Sequence, residues 1–340
     1  MGAVFPRIAL LTSVTSMLMG SPAWAQSLIV PDDTLGAEGS QVVPNADGFP
    51  VELIQGGAVR EQNLFHSFVE FNVDAGRGAY FVAPSDAINN IFSRVTGSNP
   101  SNIFGVLGTR AFDGSAIAAD LFFITPTGIV FGATGILDVA GSFTATTADA
   151  IQFGDEGIFS ATSPEAPSTL LTIDPSAYLF HQSNGSIVNR SIGPNNNGEF
   201  GLQVGDGESL TLLSPEIRFE DGRMRTNGGE IILGGIATPG IVEIMTERLS
   251  FPEETNKANI SLIDSVIESI DESKIDIHSQ NLFLDGSLII AATFEDSDAG
   301  NINIYANSAN IVNSSFVGSF SGAFATGSIG SILVEAENII

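Results

Sequence analysis

Short runs in which apolar and polar residues alternate recur through the C-terminal third of the chain, while apolar residues rarely recur at helical spacing over long windows. Ile275 and Ile277, Ile302 and Ile304 with Asn301 and Asn303 between them, and Ile332 and Val334 all repeat at period two. That is the spacing of a half-buried strand. Asn, Gly, Ser and Asp punctuate these runs, as turns require. The composition agrees: 37 Gly, 24 Phe, many Ile, Val, Thr and Ser, and few of the Lys and Glu that fill helix surfaces.

Four of these segments, Asn259–Ile263, Lys274–His278, Asn301–Ala306 and Ser331–Ala336, can be laid over one another. Each is followed by a second apolar segment, such as Asn281–Leu284 or Ala309–Val312. The starts at 259, 274, 301 and 331 are uneven, but the last two gaps approach one coil of a β-solenoid. A set of β-sandwich domains would also show short strands and turns. Similar coils after a longer leading region favour the solenoid.

That leading region, 26–255, is richer in aromatics. Phe65, Phe68, Phe71, Tyr80 and Phe81 crowd one stretch, and Phe122, Phe123, Phe131 and Phe143 another. A solenoid end exposes unpaired backbone and an open core, so it needs a distinctive cap. Phe251–Lys257 reads as a soft boundary before the coils of 256–340, which stop one strand into a coil at Glu337–Ile340. The chain is therefore read either as a short product or as the front of a longer fibre.

Residues 1–25 have the three parts of a cleaved secretory signal: Arg7, the apolar run Ile8–Met19, and an exit in which Ala23 and Ala25 suit a peptidase. The run is shorter than the roughly 20 residues that span a bilayer, and Ser13, Thr15 and Ser16 interrupt it. The 340 residues contain no cysteine, which a chain of this size does not need for a core. Acidic residues outnumber basic ones by 39 to 12, giving a net charge of −27, and Lys274 is the last basic residue. Without clustered positive charge the chain is a poor partner for nucleic acid or anionic lipid.

Catalytic constellations find little support. His66, His181 and His278 stand far apart, with no metal-ligand spacing, and His66 between Phe65 and Phe68 reads as a packed histidine. There is no nucleophile elbow, and without Cys no thiol nucleophile. Gly228-Gly229 and Gly234-Gly235 lack phosphate-loop spacing and read as tight solenoid corners. The acids Asp271-Glu272 and Glu295-Asp296-Ser297-Asp298 read as solvated loop residues, and the second run lacks the glycine placement and distal Glu of a calcium loop. No cofactor or metal is expected. A β-helical lyase would need basic residues, which the coils lack after Lys257 apart from Lys274.

Several blocks in order resemble the filamentous-haemagglutinin N-terminal family, the secretion domain of two-partner systems. They are Asn63–Val73, Ile88–Gly97, Ile103–Leu107, Ala119–Gly132 and Leu137–Thr147, with weaker similarity through Leu210–Leu213 and Gly228–Gly235. The family's Asn-Pro-Asn-Gly-Ile turn is Thr125-Pro126-Thr127-Gly128-Ile129 here, and the Arg-Gly before the Asn-Leu-Phe block is Arg60-Glu61. These departures bear on the efficiency of secretion more than on the fold. The resemblance implies an all-β, right-handed parallel β-helix with an N-terminal cap and extra-helical hairpins, without catalytic activity. It also implies a partner, an outer-membrane β-barrel transporter whose periplasmic modules meet the unfolded chain. Strand addition to an exposed edge is one way such modules bind. Asn63, Leu64, Phe65, Phe68, Phe71 and Asn72, with Thr125, Pro126, Thr127, Gly128 and Ile129, are the candidates for transporter recognition or for nucleating the helix. The alternative is that they only build the cap. The expected role is a secreted or cell-surface exoprotein that contacts a host or other cell-surface ligand. A secreted β-helical carbohydrate-active enzyme and the front of a toxin-delivery fibre are the other readings.

Overall fold

The computed structural model describes residues 27–340 except 183, 196–197, 246–247, 253–254, 295 and 324. The signal segment, with Ala23 and Ala25, lies outside the described residues. Among the described residues the regular structure is strand, apart from two 3-10 turns at Gly36–Glu38 and Ala46–Gly48.

The chain winds through three sheet faces in turn. The first face stacks Asn63–Asn72, Asn90–Val95, Asp120–Ile124, Phe143–Thr146, Leu210–Ser214 and Glu230–Gly235, then 274–279, 301–306 and 332–336. The second stacks Ser101–Ile103, Ile129–Phe131, Ser186–Asn189, Glu216–Glu220 and Asn259–Ile263, then 281–285 and 308–312. The third runs from Val51–Gly56 through Gly78–Ala83 and Val106–Ala111 to Ile136–Asp138. It resumes with Leu202–Gln203, Arg223–Asn227, Val266–Ile270, Leu288–Thr293 and Phe316–Ser321. Neighbouring strands within each face are parallel, so the architecture is a parallel β-helix. Parallel returns of this kind are right-handed in nearly all proteins, which is the hand expected above.

Equivalent residues stack in register, since Ile275 pairs with Ile302 and Ile302 with Ile332. The segments starting at 274, 301 and 331 therefore superimpose in space as their sequences suggested. Asn259–Ile263 does not join them. It belongs to the second face, where Ile260 pairs with Leu282. All faces share the same period of two, so alternation alone cannot assign a strand to a face. One hydrophobic cluster runs from Ile29 to Ala306 down the axis, crossing residue 255 without a break.

Two additions complete the fold. At the N-terminal end Leu28–Pro31 runs antiparallel to Asn63–Asn72, and Ser40–Val43 antiparallel to Val51–Gly56, closing the edge that the first coil would expose. Beside the first face lies an antiparallel sheet built from Ala150–Phe153, Gly157–Ser160, Ala177–Phe180, Gly240–Met245 and Arg248–Ser250. This sheet explains the paired apolar residues Leu64-Phe65, Ile91-Phe92 and Leu121-Phe122. The first of each pair enters the axial core and the second enters another cluster, with Phe153, Phe159, Tyr178, Phe180 and Val242. Strands buried on both faces read as continuous apolar runs, not alternating ones.

The glycine readings divide. Gly228 sits at a corner with φ of +72°, and a Cβ on Gly229 would stand 1.8 Å from the Glu208 carbonyl of the coil below. Gly234 and Gly235 are not at a corner but within the strand Glu230–Gly235, where a Cβ on Gly234 would meet Leu213 and the Phe251 ring. Close approach is the constraint there, not backbone conformation.

Candidate functional site

The Asn63 block forms the first strand of the helix, and its side chains are buried on both sides of the strand up to Phe68. Asn63, Leu64, Phe65 and Phe68 are fully buried, Phe71 is 1% exposed, and Asn72 is half-buried. Phe65 stacks on Phe92 at 5.0 Å, and Phe92 on Phe122 at 4.7 Å, so one aromatic column joins three successive coils. On the other side of the strand Phe68 meets Phe71 edge-on at 5.1 Å, and Phe71 meets Phe123 at 5.0 Å. The Asn63 amide donates to the carbonyls of Leu171 (2.9 Å) and Ile173 (2.8 Å), and its oxygen accepts from Asn90 (2.9 Å), one coil on. Asn72 likewise accepts from Asn102 at 2.9 Å. Each asparagine oxygen thus accepts from an amide one coil on, while the Asn63 amide donates to the 171–173 segment and that of Asn72 to Glu70 on its own strand.

The second group is a corner. Thr125, Pro126, Gly128 and Ile129 are buried and Thr127 is half-buried, between the first-face strand Asp120–Ile124 and the second-face strand Ile129–Phe131. The Gly128 amide donates to the Thr125 carbonyl at 3.0 Å, closing the turn. The positive φ of +120° falls on Gly128 and on neither threonine, so replacing the family's asparagines carries no left-handed strain. The Thr127 hydroxyl donates to the Asn99 carbonyl of the preceding coil at 2.7 Å instead of to its own turn. The strand pairings place this corner two coils above the Asn63 block, with residues 94–102 between them. The two groups share one edge of the helix without forming one pocket.

What joins them to the rest is a residue not singled out from the sequence. Arg94 is fully buried and donates to four groups: Ser67 Oγ (2.8 Å), the Ser160 carbonyl (2.9 Å), Thr34 Oγ1 (2.7 Å) and the Glu165 carbonyl (2.8 Å). Its guanidinium also lies 4.2 Å above the Phe159 ring. Burial lowers its pKa to about 10, which leaves it charged at neutral pH. Asp32 is its counter-charge through shared hydroxyls. Burial alone would raise the Asp32 pKa, but donors from Thr34, Ser67 and Thr96 hold it below the ordinary value. One side chain so ties the N-terminal cap, the first two coils and the extra-helical sheet. The signal was present in Ile91-Phe92-Ser93-Arg94-Val95: an arginine inside an apolar strand is seldom buried unless its donors are fully used.

The cap is also pinned by Ser40, whose hydroxyl lies 3.0 Å from His66 Nδ1 and accepts from the Ser67 amide. Burial depresses the His66 pKa to about 3, so His66 is a neutral packed group, as its phenylalanine neighbours suggested. His278 is stacked between Phe251 (3.8 Å) and Tyr305 (4.8 Å), and the His181 amide donates to Asp149. Among the described residues no group of three or more His, Cys, Asp or Glu could hold a metal ion. Asp271 and Glu272 are turn residues with φ of +51° and +47°, and Glu295 lies outside the described residues.

Glu61, where the family carries glycine, has φ of +52° and an exposed side chain. A left-handed conformation costs a non-glycine residue about 1–2 kcal/mol. Glu61→Gly is therefore expected to stabilise the folded chain by about 0.5–1 kcal/mol, after the entropy lost by glycine, as a higher denaturant midpoint. A lower midpoint would contradict strain at this turn.

Asp120, at the start of the third first-face strand, is raised to about 6 by burial, with Glu208 and Asp174 adding to the rise against a lowering bond from the Ser142 amide. An unfolded aspartate titrates near 3.9. The folded state thus holds this proton more tightly, and its contribution is full below about pH 4 and lost as pH rises through about 6. Asp120→Asn keeps the acceptor for Ser142 and is expected to add about 2 kcal/mol at pH 7 and nothing at pH 4. Melting curves at both values check this; equal gains at both would contradict it.

The family model described as "TPS secretion domain" matches residues 27–276. Among solved structures, the chain is similar to the filamentous hemagglutinin secretion domain (14% identity, TM-score 0.45) and to the HMW1 secretion domain from Haemophilus influenzae (15% identity, TM-score 0.43). Each alignment covers 89% of this chain and 99% of the other. No curated protein matches the chain. The family match spans most of the sequence, including the Asn63 block, the 125–129 corner and Arg94, and the chain belongs to the TPS secretion domain family, an exoprotein of two-partner secretion.

Proposed function

We propose that residues 26–255 direct export of this chain through a dedicated outer-membrane β-barrel transporter after cleavage of the leader 1–25 at Ala23 and Ala25, and that 256–340 carry the helix on toward a role in surface contact. The observation that carries this reading is the burial of the Asn63 block. Phe65 and Phe68 have no exposed surface once the chain is folded. A transporter that reads this block must therefore meet it unfolded, as an extended strand whose apolar side chains fill alternate pockets. The same residues then close the first coils outside the cell, and their burial opposes return. Thr125–Ile129 and Asn72 act in the second step, as the corner and the inter-coil bond that set the register of the next layers.

Outward-facing polar ladders support the surface-contact role over an enzymatic one. Asn281 bonds Asn259 and Ser308, Asn303 bonds Asp276, and Ser331 bonds Asn301, giving the coils a regular amide and hydroxyl exterior.

The test is binding to the transporter's soluble periplasmic modules. A peptide spanning residues 60–75 is expected to bind at least tenfold more tightly than the folded protein, and a scrambled peptide not at all. Equal binding of peptide and folded protein would contradict recognition before folding.

A further inference from the structure

The third face is interrupted where Ile136–Asp138 gives way to Leu202–Gln203, two strands that belong to separate sheets. The step leaves a groove with two connected parts. One part, of about 300 Å³, lies between 136–140 and the residues Asn195 and 203–205, and the other, of about 270 Å³, lies against Arg110 and 114–116. Tyr80, Asp138 and Ala140 line both.

The floor is built in a specific way. Gly78 and Gly108 flank Tyr80, and a Cβ on Gly108 would come within 2.6 Å of the tyrosine ring, so the ring lies flat on the strands because no side chain competes. The Tyr80 hydroxyl donates to Asp138 Oδ2 at 2.8 Å, which fixes both groups. The Arg110 guanidinium is held 4.0 Å above the same ring. Unlike Arg60, Arg77, Arg190, Arg218 and Arg225, it has no carboxylate partner among the described residues. The chain carries 39 acidic residues, so an arginine oriented by a ring and left unpaired is a preorganised anion donor. Across the groove Gln203 is only 6% exposed. Its oxygen accepts from Asn195 at 3.1 Å, while its Nε2 donates to no protein atom among the described residues. A nine-tenths buried amide with an unused N–H pair at a cavity wall is a donor waiting for a ligand.

We infer that this groove binds a saccharide bearing a single carboxylate, such as a hexuronic acid at the end of a glycan. The carboxylate meets Arg110, one ring hydroxyl accepts from Gln203 Nε2, and another donates to Asp138 Oδ1. One cation suits one carboxylate, and the net charge of −27 repels a polyanionic chain. Among the described residues Asp138 is the one carboxylate of the lining, and glycoside hydrolysis uses two, so we read the groove as a binding site. The inference deepens the surface-contact reading and rests on it for its setting.

Methyl glucuronide and methyl galacturonide, with methyl glucoside, methyl galactoside and acetate as comparators, test it by saturation-transfer NMR and titration of the full folded chain. At least one uronide is expected to bind at least tenfold more tightly than its neutral glycoside and than acetate. Arg110→Gln, a half-buried change that loses the contact on the Tyr80 ring but no side-chain hydrogen bond among the described residues, is expected to weaken that uronide roughly tenfold to a hundredfold while the chain stays folded and melts only slightly earlier. Gln203→Glu, which removes the donor and keeps the shape, is expected to weaken it as well. No binding of either uronide, equal binding of uronide and glycoside, equal binding of acetate, or a bound uronide indifferent to Arg110→Gln would each overturn the proposal. Export of Arg110→Gln is expected at the parental level. Parental export with lost uronide binding assigns the loss to the groove, whereas partner-independent export with intact binding overturns the export reading and leaves the groove standing.

Discussion

Replacing Phe65 and Phe68 together by aspartate is expected to abolish the native first coils and, with them, secretion of the folded chain. The two rings lie on opposite sides of one strand, Phe65 in the cluster beneath the extra-helical sheet and Phe68 in the axial core. Phe65 contacts Phe92, Phe153 and Phe159, with centroids at 5.0, 5.7 and 4.9 Å. Removing a buried phenylalanine costs about 3–5 kcal/mol before any charge is buried. Two such losses, each leaving an unpaired carboxylate, exceed or consume the roughly 5–15 kcal/mol that holds a domain together. The expected record is loss of near-ultraviolet dichroism and of protease resistance. Phe65→Leu with Phe68→Leu keeps apolar volume and is expected to stay folded. A double aspartate variant that melts like the parent would show that the strand is not in the core.

Arg94→Met is expected to destabilise the chain by about 3–5 kcal/mol, the cost of breaking a buried charged network by removing one partner. Four bonds are lost at once, and Asp32 keeps its burial without its counter-charge. Because Arg94 holds the Glu165 and Ser160 carbonyls, the segment 160–174 is expected to become the first site of protease cleavage, before the C-terminal coils. Lysine offers one ammonium in place of a planar fork and cannot span the same four acceptors, so Arg94→Lys is expected to recover only part of the loss. Full stability in Arg94→Met, or cleavage beginning in 274–312, would contradict the role of this side chain as the tie between cap, coils and outer sheet.

The coil stack was the most legible feature, because a strand that repeats at the same register must place its isoleucines one above another: Ile275, Ile302 and Ile332 do so. The face of each strand was less legible. Asn259–Ile263 alternates like Lys274–His278 yet lies on another face, since the corner that precedes a strand, not its pattern, decides where it goes. The outer sheet left its trace as apolar pairs, Leu64-Phe65 and Ile91-Phe92, whose second members needed cover that no neighbouring segment identifies. Arg94 was legible only as an anomaly. Its partners, Thr34, Ser67, Ser160 and Glu165, are spread over cap, coil and insertion, and spacing alone does not bring them together. The groove on the third face was not legible at all, because it arises from a step between Asp138 and Leu202 that only the winding of the chain creates.

The most direct measurement of the central claim is the amount of tagged full-length chain in the medium with and without a co-expressed outer-membrane transporter partner. The account predicts release that depends on the partner and that disappears in the Phe65→Asp, Phe68→Asp variant while the leucine pair is still exported. Equal release of the parent chain without any partner would contradict it.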